Sequence, residues 1–468
     1  MRIHRCGLRP PSWDKKGIIG ASLIASALSG LASPAHSLDL VQSYRLALTQ
    51  DAGYQASRAE TAGVRENVPM ALAQLLPNIS GNLTRSKNYT NRTVSGFSSP
   101  MNAGQYEYFS ANYALTLRQP LYRKYNFAQY RQAQSQVASV DASLEKSLQD
   151  LLVRLSATYF EALLAQDQMA LVLAQKEAYG VQLKAVQHAF EAGLGTRTDI
   201  DDAQVRYDMS LAQELEASHN LGQTRRQLSV IVNQPVNTMV PLDPGRMELV
   251  GPKPVNPEEW IARGEEENAE LRAMRANIES AREELEKAKA GHWPMIDLIA
   301  QRSRSISASE TTIDQRYLTT TVGVQINIPL FAGGYYVSQE RQALANIERS
   351  RHLYDARRRE VGQQIRHEFE TVAEGVLKVK ALEQAERSAD QAVFSNQKGV
   401  KAGTRTLVDM FNAQQQRVIV RRDLAKQRYV YIMARVRLQG MVNSLDENEI
   451  TLINSWLSDS PITVRSAN

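Results

Sequence analysis

Thr198-Asp199-Ile200-Asp201-Asp202-Ala203-Gln204 recurs 210 residues further along the chain, as Val408-Asp409-Met410-Phe411-Asn412-Ala413-Gln414. Each copy follows an Ala-Gly pair, at Ala192-Gly193 and Ala402-Gly403. Two other landmarks recur in the same order: Gln119-Pro120-Leu121-Tyr122 precedes Ile328-Pro329-Leu330-Phe331 by 209 residues, and Leu76-Pro77 precedes Trp293-Pro294 by 217. A period near 210 is too long for a solenoid, so the pattern predicts a chain built of two duplicated halves.

Each half contains a very long segment without proline, Asn126–Ala192 in the first and Tyr335–Ala402 in the second. A helix rises about 1.5 Å per residue, so each segment would reach roughly 100 Å. Apolar residues such as Ile365, Phe369 and Val372 follow at steps of four and three, which is coiled-coil spacing. Each half is therefore predicted to contain two strands, a very long helix, a glycine break and a second helix.

Alternating stretches precede the long helices. In Leu318–Leu330 one parity holds Val322 and Val324, and the other holds Thr321 and Gln325. Such a period of two predicts strands with one apolar and one polar face. The predicted hairpins pair Asn78–Tyr89 with Phe109–Leu121 and Met295–Ile306 with Leu318–Leu330, around polar loops near Asn91–Gly104 and Ser307–Gln315. A soluble hairpin packed on helices would alternate in the same way, so the pattern alone leaves membrane insertion open.

The first 37 residues are typical of a secretory signal. A basic start precedes the apolar stretch Gly17–Ala32, and small residues precede a cut after Ser37. The alternative is a membrane anchor, but the stretch is short for a span of about 20 residues. The leader carries five of the basic residues and one acid, so it accounts for most of the net charge of +5 and argues against nucleic acid as a partner. Cys6 is the single cysteine, and no later segment has 18 consecutive apolar residues. These features predict a bacterial periplasmic or outer-membrane product.

Six prolines between Gln234 and Glu267 predict an irregular crossover between the halves. The chain is then predicted to divide into a signal peptide (1–37), a first repeat (38–233, with a hairpin over 78–121), the crossover (234–267), a second repeat (268–442, with a hairpin over 294–330) and an irregular tail (443–468). The crossover and the tail are expected to pack together.

Catalytic motifs are missing from the sequence. His367-Glu368 has no second histidine at zinc-binding spacing, and Gly193-x-Gly195 lacks the third glycine of a nucleotide fingerprint. The sequence therefore predicts no enzyme, cofactor or metal site. The remaining alternative of another class is a soluble periplasmic coiled-coil adaptor or structural protein, which would stay soluble after export.

A four-stranded sheet cannot lie in lipid alone, because its edges leave backbone groups unpaired. Two chains would give eight strands with an interior filled by side chains, whereas three would give twelve strands around an aqueous lumen. Long helices extending from such a barrel would form a tunnel.

The order of these segments resembles that of the TolC family of outer-membrane channel proteins, over roughly Leu38–Val442. The motifs that carry the resemblance are Leu76-Pro77-Asn78-Ile79-Ser80, Gln119-Pro120-Leu121-Tyr122, Ile328-Pro329-Leu330-Phe331-Ala332-Gly333-Gly334 and the paired Gly, Asp and Ala-Gln positions. The resemblance implies a mainly α-helical fold with membrane β-strands. In it, a homotrimer forms a 12-stranded β-barrel in outer-membrane lipid, continuous with an α-helical periplasmic barrel.

The resemblance also implies an exit channel that works with a periplasmic adaptor and an inner-membrane transporter. The Leu-Pro-Asn-Ile-Ser start and the segment Gly403–Asp409 are most similar to members that serve type I protein secretion with an ABC exporter. The alternative is multidrug efflux with a proton-driven pump.

Two groups of site residues follow from the resemblance. Gly193, Leu194, Ala402, Gly403 and Thr404 would form tips at the far periplasmic end, where the adaptor docks. Arg405 would be tied to Thr198 and Asp199 and would keep the duct shut, with Asp409 at the entrance. Asn412 stands where the family has a further carboxylate, and Val400 stands where it has a tyrosine. The lock should therefore have fewer polar links than in the family. One of Thr196 or Thr198, and one of Thr404 or Thr406, is expected to cap the next helix.

Overall fold

The computed structural model describes residues 37–93, 104–193 and 195–458. The predicted signal peptide, apart from Ser37, lies outside the described residues, as do most of the first hairpin loop, Leu194 and the last ten residues of the tail.

Helices and strands follow one another in the order that the duplication predicts. The described elements are α1 (Leu40–Gln50), α2 (Ala52–Arg65), α3 (Asn67–Ala73), β1 (Asn78–Arg92), β2 (Gly104–Tyr122), α4 (Lys124–Glu191), α5 (Arg197–Val232), α6 (Pro257–Glu267), α7 (Ala269–Ala290), β3 (Met295–Ile306), β4 (Arg316–Asn327), α8 (Tyr335–Lys401), α9 (Leu407–Met441) and α10 (Glu447–Asn454). A short 3-10 helix, Glu310–Thr312, lies in the second hairpin loop. The fold is mainly α-helical with four strands, as predicted.

The two very long helices are confirmed. Helix α4 has 68 residues and α8 has 67, so each is about 100 Å long. Their middle sections enclose the main core with α9, through fully buried side chains such as Tyr159 on α4, Ile365 on α8 and Tyr431 on α9. The Tyr159 hydroxyl donates to the carbonyls of Leu38 and Val240, which ties the start of the described chain to this core.

The four strands form one antiparallel sheet in the order β1-β2-β3-β4. Both predicted hairpins are present, with Asn82 opposite Ala114 in the first and Ser303 opposite Thr319 in the second. Strands β2 and β3 also pair, so the two halves of the chain contribute to a single sheet. Strands β1 and β4 are its two edges.

The crossover is shorter than predicted. Residues 257–267 were expected to be irregular because they belong to the proline-rich segment, and this is wrong, since they form α6. Pro257 occupies the first turn, where a missing N–H removes no helical hydrogen bond, and the Asn256 side chain accepts from the Glu258 N–H at 3.1 Å. The second repeat therefore begins earlier than residue 268.

Matching N-caps support that earlier boundary. Asp39 caps α1 and Asn256 caps α6, 217 residues later, and Asp51 caps α2 as Asn268 caps α7 at the same offset. The sequence distance between matching positions of the two halves falls from 217 to 209 after the hairpins, because the first hairpin is eight residues longer than the second. It is 210 at the ends of α5 and α9, where Asn233 and Asn443 both adopt a left-handed conformation.

The tail is also more regular than predicted. Residues 447–454 form α10, because the Asp446 carboxylate accepts from the Glu449 N–H at 2.9 Å and caps a helix there. The expected packing of crossover against tail is confirmed: the Asp243 N–H donates to the Trp456 carbonyl and the Ser458 N–H to the Pro241 carbonyl, each at 2.9 Å. Among the described residues, no helix is sufficiently long and apolar to cross a membrane.

Candidate functional site

Each very long helix ends in the same glycine turn. Helix α4 stops at Glu191 and Gly193 has φ 73°, while α8 stops at Lys401 and Gly403 has φ 70°. These values lie in the left-handed region, which glycine adopts without the steric cost of a Cβ. Both predicted glycine breaks are therefore sharp turns between two helices. Leu194, also predicted to lie at a tip, falls outside the described residues.

The helix after each turn begins with a capping box. Thr196 caps α5 and Thr406 caps α9. The N-caps are therefore Thr196 and not Thr198, and Thr406 and not Thr404. The Asp199 carboxylate accepts from the Thr196 N–H at 2.9 Å and from its hydroxyl at 2.7 Å, and the Asp199 N–H donates to the hydroxyl at 3.2 Å. Asp409 and Thr406 repeat this arrangement at 3.1, 2.9 and 3.2 Å.

These hydrogen bonds favour the ionised acids. Those from the Thr196 side chain and backbone hold the pKa of Asp199 below its usual range. Those from the Thr406 backbone and side chain do the same for the pKa of Asp409, and the positive charge of Arg405 adds to the effect. Each turn thus carries a fixed negative charge at the start of its second helix, where the helix dipole also favours it.

The predicted lock residues are near the turns, but one chain does not join them. Among the described residues, Arg405 makes no hydrogen bond or ion pair with Thr198 or Asp199. The Arg405 N–H donates to the Gly399 carbonyl at 3.2 Å, and its side chain lies along Gly399. The exposed residues among the predicted lock and docking positions are Gly193, Thr198, Ala402, Gly403, Thr404, Arg405 and Asn412, whereas Asp199 and Asp409 are half-buried.

The two helical hairpins contact each other behind the turns. Tyr179 and Leu183 of α4 pack with Ala203 of α5 and Phe411 of α9 in a small buried cluster. The Arg206 guanidinium lies 4.6 Å from the centre of the Phe411 ring. The turns of the two halves are therefore held to one another by packing, while their polar side chains remain accessible.

The second candidate surface is the sheet, whose two faces differ in chemistry. Asn82, Ala114, Ser303 and Thr319 form one cross-strand row. The next row, Leu83, Tyr113, Arg304 and Leu318, lies on the opposite face. The apolar parities predicted for β2 and β4 thus share one face of one sheet, called here the apolar face, and the other parity forms the polar face.

Charges on the polar face are few. Among the strand residues they are Arg92 near the first hairpin turn, and Arg118 and Asp297 at the helical end. The Asp297 side chain is buried and accepts from Arg118 at 2.7 and 3.0 Å and from Arg123 at 2.8 Å. Arg123 is the N-cap residue of α4, so this cluster ties two strands to the first long helix.

Sequence reasoning missed the Arg118–Asp297–Arg123 cluster, because its members come from different halves of the chain. The available signal was an acid at Asp297 inside an otherwise apolar start of a strand. The described residues contain no group of His, Cys, Asp and Glu side chains arranged to hold a metal ion. They offer ionic and polar surfaces at the two ends of the long helices, and these surfaces are the candidate functional sites.

Comparison with known proteins extends over nearly the whole described chain. The family model for outer membrane efflux proteins matches residues 43–234 and 260–444. The alkaline protease secretion protein AprF of Pseudomonas aeruginosa is 33% identical over 433 residues, covering 92% of this chain and 90% of AprF. The proteases secretion protein PrtF of Dickeya chrysanthemi is 30% identical over 447 residues, covering 94% of this chain and 96% of PrtF.

The fold is shared with solved channel structures. The Campylobacter jejuni outer membrane channel CmeC superposes with a TM-score of 0.73, covering 89% of this chain and 89% of CmeC, at 13% sequence identity. At that identity the likeness shows the fold alone. It agrees with the duplicated strand-strand-helix-helix order of the described chain.

Proposed function

This chain belongs to the outer membrane efflux protein family, the TolC family, and we propose that three copies of it form one exit duct for type I protein secretion. Membership makes the chain a channel protein of the bacterial outer membrane, with a helical extension in the periplasm, and not an enzyme. The number of copies, the cargo and the partners are the proposed part.

Assembly into a trimer follows from the edges of the sheet. Strands β1 and β4 each leave one row of backbone N–H and C=O groups without a partner strand among the described residues. In lipid each unpaired group costs several kcal/mol. Pairing β1 of one copy with β4 of the next removes both edges, and three copies give the twelve strands that enclose an aqueous lumen.

The polar face would line that lumen. It presents mainly asparagine, serine, threonine and glutamine, with the ion cluster of Arg118, Asp297 and Arg123 at its helical end. Such a surface binds water and makes no strong contact with either sign of charge. It suits a duct through which an unfolded polypeptide of varied sequence has to slide.

Protein secretion is favoured over drug efflux by the relatives at 30% identity or more. AprF and PrtF are both secretion proteins for proteases, and each is covered over nine tenths of its length. This observation carries the proposal. By the same reasoning the cargo is an extracellular protease, delivered by an ABC exporter and an adaptor.

The test is complementation in a bacterium that contains a protease-specific ABC exporter and adaptor but no outer-membrane channel of its own. Supplying this chain should release active protease into the medium, and a chain lacking residues 104–122 (β2) should not. If drug resistance is restored while protease stays in the cell, the duct serves efflux.

The helical turns would provide both docking and closure. Gly193, Ala402, Gly403 and Thr404 lie at exposed turns, as an adaptor-binding surface requires. Arg405 makes no link with Asp199 inside one chain, so in this proposal it reaches the first-repeat turn in the trimer. An arginine can bridge a carboxylate and a hydroxyl at once. The departures at Asn412 and Val400 leave the closed state with fewer polar links.

A further inference from the structure

The apolar face of the sheet has a second zone that is basic. Five cations lie on this face and are called the basic belt: Arg85, Lys87, Arg302, Arg304 and Arg316. Arg85 and Arg316 lie in one cross-strand row with Ala111 and Ile306, and Arg304 and Arg302 occupy the next two rows toward the helices. All five side chains are exposed.

Most cations of the basic belt have no acidic partner among the described residues. Lys87 forms an ion pair with Glu107. Arg85 lies 5.6 Å from the centre of the Phe109 ring. For Arg302, Arg304 and Arg316, no carboxylate of the described residues is within ion-pair distance. Glu107 is the single acid among the strand residues of this face, so the zone has a net charge of about +4 per chain.

The position of the basic belt corresponds to one edge of a bilayer. Ten residues separate Thr320, which lies opposite Arg302 in the row of the basic belt nearest the helices, from Leu330, the last apolar residue of the alternating stretch. At about 3.3 Å per residue and a tilt near 40°, they span roughly 25 Å, the height of the apolar band on an outer-membrane barrel. Apolar residues exposed by 58–71%, among them Val322 and Val324, lie between.

The orientation of the sheet in the membrane determines which leaflet the basic belt contacts. The helices leave the sheet from the end opposite to the basic belt and extend into the periplasm. The basic belt is therefore at the outer leaflet, which in outer membranes is built of phosphorylated glycolipid. Aromatic side chains lie beside it, at Tyr89, Phe109 and Tyr113, as in the girdle at a membrane interface.

We propose that the basic belt binds the phosphoryl groups of the outer-leaflet glycolipid around the assembled channel. Guanidinium groups match phosphate oxygens with paired hydrogen bonds, and the apolar zone next to them accepts the acyl chains. A basic cluster next to a membrane attracts anionic headgroups. The proposal rests on the proposed function, because it requires the sheet to be in the outer membrane.

The experiment uses purified full-length trimer in detergent and a fluorescent diphosphoryl lipid A as probe. Wild-type trimer should bind this probe, and unlabelled diphosphoryl lipid A should displace it. Enzymatically dephosphorylated lipid A and phosphatidylglycerol should each require at least a tenfold higher concentration. Inorganic phosphate should not displace the probe, because it lacks the acyl chains.

Two triple variants with the same change of charge separate the basic belt from general electrostatics. Arg302→Gln, Arg304→Gln and Arg316→Gln together should raise the apparent Kd at least tenfold. The control changes three exposed arginines of α8 that have no described ion pair, Arg349→Gln, Arg351→Gln and Arg359→Gln, and should leave the Kd within twofold.

Channel conductance in phosphatidylcholine bilayers distinguishes failure of the lipid site from failure of the channel itself. If wild-type trimers conduct but bind dephosphorylated lipid as tightly as lipid A, or if both triple variants lose affinity equally, the lipid proposal is overturned and the channel stands. If the purified chain forms no trimer and no channel, the proposed function fails and the lipid site fails with it. Arg→Lys at the three belt positions keeps the charge and should retain trimer and part of the affinity.

Discussion

Introducing arginine at Val324 tests which face of the sheet meets lipid. Val324 is the middle residue of the alternating stretch Leu318–Leu330, lies opposite Leu298 on the apolar face and is 58% exposed in the single chain. An arginine on the lipid face near the bilayer midplane costs about 2–4 kcal/mol. A trimer carries three copies, so we expect Val324→Arg to destabilise the assembled channel by about 6–12 kcal/mol in total.

Gln325 supplies the matched control, because it is the next residue of the same strand and lies on the polar face opposite Asp297. Gln325→Arg adds the same charge to a water-filled lumen, so its cost should be about 0–1 kcal/mol. The assay is the yield of detergent-resistant trimer in isolated outer membranes at equal expression. Val324→Arg should lower that yield at least tenfold and Gln325→Arg by less than twofold. Equal yields would refute the assignment of faces and the barrel built on it.

Four further predictions concern the helical turns. Thr196→Ala removes the cap of α5, which should cost about 1 kcal/mol and speed amide exchange in its first turn, whereas Thr196→Ser should not. Because the folded-state pKa of Asp199 is lowered, this cap stabilises the helix above the unfolded pKa of the carboxyl and is lost as the pH falls through the folded pKa, so exchange there should accelerate in acid. Arg405→Ser should raise the resting conductance of single channels, and adding Asp199→Ala should change it little further; unchanged conductance would place the lock elsewhere. A cysteine at Ala402 should crosslink to the adaptor, and crosslinks to the inner-membrane transporter alone would contradict docking at the turns.

Local signals were sufficient to predict most of the fold. The absence of proline predicted α4 and α8 to within two residues, because nothing else interrupts a helix of that length. The same rule failed at Pro257, since proline is also a good first residue of a helix and its neighbour Asn256 provides the cap. The pairing of β2 with β3 had no local signal, because the two strands come from different halves of the chain.

The candidate site was predictable where it depends on short sequence spacing. The spacing of Thr196 to Asp199 is that of a capping box, and this box forms. The proposed contact of Arg405 with Asp199 is not predictable from short spacing. It depends on how the chains assemble, and no local sequence pattern of one chain encodes that assembly. The turns are thus fixed by local chemistry, whereas their proposed closure would depend on assembly of the trimer.

The ion cluster at the base of the sheet connects the two parts of the proposed duct. Asp297 binds Arg118 of β2 and Arg123 at the start of α4, so strand and helix share one buried carboxylate where the chain passes from sheet to helix. Removing a buried acid that is bonded to two cations leaves both without their partner, which is far more costly than losing an exposed pair. A duct whose lower end opens needs a fixed upper end against which its helices can move. The cluster supplies that rigidity at the junction, while the glycine turns lie about 100 Å away at the other end of α4.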